Sequence, residues 1–141
     1  MTRKFLHMAA LMGAAAVLLG AFGAHKLKTM LDPETFSAFQ TGITYQFYHT
    51  FALIAVGILY RRYKNNWLST SGYLFVAGTI LFSGSLYLLT AAVLFKGMTL
   101  GVFGFITPIG GLLLIGGWLC LLMGVPVARQ IDYKSKSEDA D

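Results

Sequence analysis

Four apolar runs, each about as long as a helix must be to cross roughly 30 Å of hydrocarbon, leave this chain few ways to fold. They lie at about 5–24, 43–60, 68–94 and 102–125. Between them only short polar stretches are available, so the natural reading is an all-α, integral membrane four-helix bundle. It forms a single domain over 1–127, followed by a polar tail at 128–141. Charged residues make up 12% of the chain, half of the ~25% typical of a soluble domain, which excludes that class. A rival reading exists for the first run, where Arg3-Lys4 and Ala21-Phe22-Gly23 resemble the two ends of a secretory signal peptide. The run from Phe5 to Ala24 exceeds the usual ~7–15-residue apolar region of such a peptide, so it is taken as a span.

Small residues within the runs carry a pattern. Ala9, Gly13, Ala16, Gly20 and Ala24 make a stripe on the first span, and Ser71, Gly78, Ser85 and Ala92 recur every seven residues on the third. Gly110, Gly117 and Gly124 repeat the device on the fourth. Such seams let helices approach closely, within the bundle or against a second copy or a partner membrane protein. Asp32-Pro33-Glu34 reads as an N-cap, a proline at the first helical position and an acidic first turn, so a helix begins near Pro33, before the apolar run itself. Pro108 lies close enough to the start of the fourth span to cost it little.

Basic residues set the orientation. Arg3, Lys4, Arg61, Arg62, Lys64, Arg129, Lys134 and Lys136 fall on one side of a four-span topology, and only Lys26, Lys28 and Lys96 on the other. The imbalance predicts both termini in the cytoplasm and a multi-pass protein of the cell (inner) membrane. The formal charge of +5 follows from these loop residues and makes no nucleic-acid surface. Cys120, the single cysteine, has no partner for an internal disulfide.

Polar side chains enter the apolar region at TGITYQFYHT, Thr41 to Thr50. On a helix Gly42, Tyr45, Gln46 and His49 fall at i, i+3, i+4 and i+7, so they share a face. At ~1.5 Å per residue, His49, Tyr87, Ser83 and Thr107 lie in the outer half of the bilayer, with His25 at the mouth of the first span. The candidate ligand-binding residues are therefore His49, Gln46, Tyr45, His25, Ser83, Ser85, Tyr87 and Thr107. A histidine inside a span marks a functional site by default, yet a neutral imidazole bonded to Gln46 or to a serine of the third span would also join helices. The serines and Thr107 have a plain alternative in bonds to their own helix backbone. No catalytic or metal set is assigned: no acid lies in any span, and two outer histidines fall short of three or four ligands. No cofactor is expected, since GAFGAH ends an apolar helix instead of linking a strand to a helix. Two functions follow, neither an enzyme. One is a structural or accessory membrane component; the other is an outer-leaflet pocket binding a lipid, quinone or other amphipathic molecule.

LGAFGAH (Leu19 to His25), TGITYQFYH (Thr41 to His49), FSGSLY (Phe82 to Tyr87) and TPIGG (Thr107 to Gly111) occur in this order across all four spans. In them the chain resembles the YgdD/YwdK family of small bacterial membrane proteins, which has a human mitochondrial relative. The resemblance implies a multi-pass four-helix topology and supplies no chemistry.

Overall fold

In the computed structural model, which describes residues 1–95 and 103–125, four long helices run antiparallel. They are α1 (Thr2–His25), α2 (Pro33–Tyr63), α3 (Asn66–Phe95) and α4 (Phe103–Gly124), each long and apolar enough to cross a bilayer. α1 packs on α2, α2 on α3, and α3 most extensively on α4. The start of α1 and the end of α4 meet at one end of the bundle beside the start of α3. There the Ser69 hydroxyl lies 3.3 Å from Met1 Sδ, and the Asn65 side-chain amide donates to the Gly124 carbonyl at 2.8 Å.

The turns follow from local chemistry. A single 3₁₀ turn, Leu27–Thr29, buries Leu27 and leads to Asp32. The Asp32 carboxylate accepts from the amides of Thr35 (3.0 Å) and Glu34 (3.1 Å), satisfying donors that a helix start leaves open. Those amide bonds, that of Thr35 first, hold its pKa below the usual value. α2 then runs without interruption through Gly42, whose missing side chain admits Tyr87: a Cβ there would stand 2.8 Å from the ring. The polar link around Arg61 to Asn66 is shorter than its composition suggests, because Arg61 and Arg62 form the last turn of α2, where cations favour the helix dipole. Only Lys64 and Asn65 connect α2 to α3. Lys64 adopts the left-handed conformation (φ 35°) that closes a helix, with its amide on the Tyr60 carbonyl. Asn65 caps α3 through the Leu68 amide at 2.9 Å.

The seams of α3 and α4 mesh in strict register. Gly110 receives Phe82, Gly117 receives Phe75 and Gly124 receives Leu68, each step of seven along α4 matched by a step of seven back along α3. The exchange is mutual, since Gly78 of α3 receives Leu114. Side chains thus enter the gaps at Gly117, Gly124 and Gly78, whereas at Gly110 the Phe82 backbone itself comes close, all at the 3.5-residue period of knobs-into-holes packing. The Ser71 hydroxyl tightens the contact by donating to the Gly117 carbonyl at 2.8 Å. On α1 the stripe divides. Ala9 and Ala16 are fully buried and a Cβ at Gly13 would meet the Thr50 methyl at 3.4 Å, whereas one at Gly20 would meet nothing and Ala24 is exposed; close approach passes instead to Gly23, under the Phe39 ring. Phe5 closes the opposite end, 1% exposed, edge-on to Tyr60 and Tyr73 and seated over Gly72.

Candidate functional site

The polar residues of α2 point to two sides of the bundle. Tyr45 and His49, one turn apart, face the α4 side, while Gln46, rotated by ~100°, faces α1. His49 lies near the middle of α2 and is buried. Its Nδ1 sits 2.7 Å from the Tyr45 carbonyl, which can only accept, so Nδ1 carries the proton. Nε2 then offers its lone pair to the indole N–H of Trp118 on α4 at 3.3 Å. Both ring nitrogens are engaged by the neutral imidazole. Around it the Phe75 ring stands at 5.5 Å, Trp118 packs edge-on against Phe75, and Tyr45 stacks on Phe82 at 4.6 Å.

On the other side Gln46 joins three helices. Its Nε2 donates to the Met12 carbonyl of α1 at 2.6 Å, and its Oε1 accepts from the Tyr87 hydroxyl of α3 at 2.9 Å. A third link binds α3 to α4: the Ser85 hydroxyl, which also reaches its own helix at the Phe82 carbonyl (2.8 Å), shares a 2.6 Å hydrogen bond with the Thr107 hydroxyl. Ser83 is buried with no hydrogen-bond partner, and so is Thr79 one turn before it. His25 ends α1 exposed, apart from all of these. Six of the eight candidates therefore fall into Tyr45 with His49, Gln46 with Tyr87, and Ser85 with Thr107, while Ser83 and His25 stand outside these groups. The partner of His49 is a tryptophan, neither Gln46 nor a serine.

Three participants were missed at the level of sequence. The Met12 carbonyl carries no signal, being backbone. Thr79 resembles any helix threonine. Trp118 had one, because tryptophan in membrane proteins favours the interface and here falls well inside an apolar run, where its N–H needs an acceptor.

Two recesses open beside these clusters. The larger, about 460 Å³, lies between α2, α3 and α4 and is lined by Tyr45, Tyr48, His49, Phe82, Gly111 and Trp118, among others. The second, about 360 Å³, lies between α1 and α3 above Gln46, with Thr79, Gly84 and Tyr87 in its wall. Neither wall carries a charged side chain. Among the described residues no three His, Cys, Asp or Glu side chains come together.

Four apolar helices joined by hydrogen bonds at mid-height define a multi-pass membrane helix bundle, seated in the lipid bilayer of the cell membrane. Residues 19–111 match the family described as protein of unknown function DUF423, and the chain belongs to that family. The match runs from LGAFGAH to TPIGG, the limits of the segments noted in the sequence. Among curated relatives, the UPF0382 inner membrane protein YgdD of Escherichia coli K12 is 38% identical over 125 residues, covering 88% of this chain and 91% of that protein. A UPF0382 membrane protein of Haemophilus influenzae is 41% identical over 137 residues, covering 97% and 99%. One of Staphylococcus saprophyticus is 40% identical over 124 residues, covering 86% and 96%. No solved structure matches.

Proposed function

We propose that this protein is a membrane-embedded binding module, not an enzyme, whose recess between α2, α3 and α4 takes a lipophilic molecule with an uncharged aromatic or quinone-like head. The observation that carries this reading is the recess itself. Its volume of about 460 Å³ falls within the ~300–1,000 Å³ of small-molecule sites, and it pairs apolar walls with few polar groups, as they do. The ring-rich lining suits a planar head that can stack on Tyr45 and Phe82. The Tyr48 hydroxyl, on a residue 60% exposed, is available to bond a ligand oxygen. No acid stands near His49, whose two nitrogens are already engaged, so nothing in the recess is poised for proton transfer.

A structural or accessory role is the second reading, and the bonds Gln46–Tyr87 and Ser85–Thr107 favour it, because they join helices and need no ligand. On that reading the groove where Gly20 and Ala24 lie beside Phe36 and Gln40 of α2 receives a second copy or a partner protein. Native mass spectrometry of gently extracted protein separates the two. Binding predicts a retained small molecule that is lost in Gly111→Leu, a change whose Cβ meets only the Phe82 ring at 3.8 Å and so fills the recess without parting the helices. Wild type that releases nothing beyond bulk lipid leaves the structural reading standing.

A further inference from the structure

Cations gather at one corner of the bundle. Where the termini meet, Arg3 and Lys4 lie in the first turn of α1 and Arg61, Arg62 and Lys64 at the end of α2, all exposed, whereas Asn65, Asn66, Ser69 and Thr70 bring no charge to the start of α3. Asp32 and Glu34, the only acids among the described residues, sit at the opposite end of α2. The register of α1 on α2 sharpens the crowding. A Cβ at Gly13 would meet Thr50 and one at Gly57 would meet Leu6, so seven steps back along α1 match seven steps forward along α2. Residues three or four apart share a helix face. Arg3, one turn before Leu6, and Arg61, one turn after Gly57, therefore stand on facing sides of the same seam. Membrane orientation asks only that cations lie on this side. It gives no reason to turn two guanidiniums toward one seam, where like charges repel and no acid among the described residues separates them.

We propose that this corner binds an anionic phospholipid, whose phosphodiester lies between Arg3 and Arg61 and relieves their repulsion. A guanidinium presents paired donors that match phosphate oxygens, and a polybasic cluster at a membrane surface draws anionic headgroups. Depth favours a lipid over a free anion, since both arginines lie at helix ends, level with the headgroups, and Ile58, one turn below Arg61 and 60% exposed, offers an acyl chain an apolar wall. Lys4, Arg62 and Lys64 add positive charge at the same corner and repel the quaternary amine of a zwitterionic lipid. The corner shares no residue with the recess between α2, α3 and α4 and does not depend on it.

Thermal unfolding of the full chain in an uncharged detergent, titrated separately with dioleoylphosphatidylglycerol, dioleoylphosphatidylcholine and inorganic phosphate, tests the corner. Phosphatidylglycerol is expected to raise the melting temperature saturably, and the other two probes are expected to leave it unchanged over the same concentrations. Arg3→Gln and Arg61→Gln should each move the half-saturation about tenfold higher, the loss of one charge-assisted contact. Both residues are exposed, so neither change empties a packed site. Lys28→Gln, at the opposite end, and Gly111→Leu, in the recess, should leave the response intact. Absence of a saturable shift with phosphatidylglycerol overturns the proposal. So does an equal shift with phosphatidylcholine or inorganic phosphate, a half-saturation that stays in place in Arg3→Gln or Arg61→Gln, or one that moves as far in Lys28→Gln or Gly111→Leu.

Discussion

Gly110 and Gly111 are neighbours on α4, yet their surroundings differ by enough to make them a matched pair. A methyl at Gly110 would stand 2.8 Å from Phe82 Cα and closer still to its backbone nitrogen, whereas one at Gly111 would touch only the Phe82 ring, at 3.8 Å. Backbone cannot rotate aside, so Gly110→Ala must push α3 and α4 apart by roughly an ångström where they pack most closely. Overpacking of that kind costs about 1–3 kcal/mol. Both substitutions gain the same helix propensity, about 1 kcal/mol for alanine over glycine, so the gain cancels when the variants are compared with each other. Gly110→Ala is therefore expected to be less stable than Gly111→Ala by about 1–3 kcal/mol, with Gly111→Ala at or above wild type. Reversible unfolding in mixed micelles, followed by circular dichroism, measures the difference. Two variants equal to within about 0.5 kcal/mol, the ordinary scatter of such comparisons, would refute the meshed register of α3 and α4.

The His49–Trp118 bond is expected to be modest, since interhelical hydrogen bonds in membranes average ~0.6 kcal/mol with a maximum near ~1.7. Trp118→Phe should lose about the average and His49→Leu up to the maximum, with His49→Gln between wild type and leucine; a glutamine variant as unstable as the leucine one would show that the bond contributes nothing. Orientation is expected to place the meeting point of the termini in the cytoplasm. In a background lacking Cys120, an impermeant thiol reagent added to intact cells should label Lys28→Cys and spare Arg3→Cys, and the reverse pattern would invert the topology.

Much of the fold was legible because bilayer thickness and the Asp32-Pro33-Glu34 start leave little freedom in a sequence of this kind. The seven-residue seams were visible too, but their meaning was half hidden. Gly110, Gly117 and Gly124 announce a close approach without saying what fills it, and the filling residues Phe82, Phe75 and Leu68 look like any others in an apolar run. The site was legible in its residue types and not in its grouping. Spacing puts Tyr45, Gln46 and His49 on one broad face of α2, but the other three helices all reach that face, so Gln46 went to Met12 and Tyr87 while His49 went to Trp118. Periodicity along one helix cannot tell which neighbour divides its face. Nor could it single out Thr79, whose hydroxyl is buried without a partner.

Phe5 has a consequence for the order in which the molecule is made. Its ring rests against Tyr60, near the end of α2, and against Gly72 and Tyr73, near the start of α3. None of these has emerged from the ribosome when α1 first enters the membrane, and they face one another only after the chain has reversed at Lys64 and Asn65. Phe5 thus finds its full seat only after the start of α3 has been made. Before the third helix arrives, α1 and α2 can already join through Gly23 under Phe39 and Gln46 on the Met12 carbonyl, and the seat of the aromatic ring is completed at the other end once Gly72 and Tyr73 are in place.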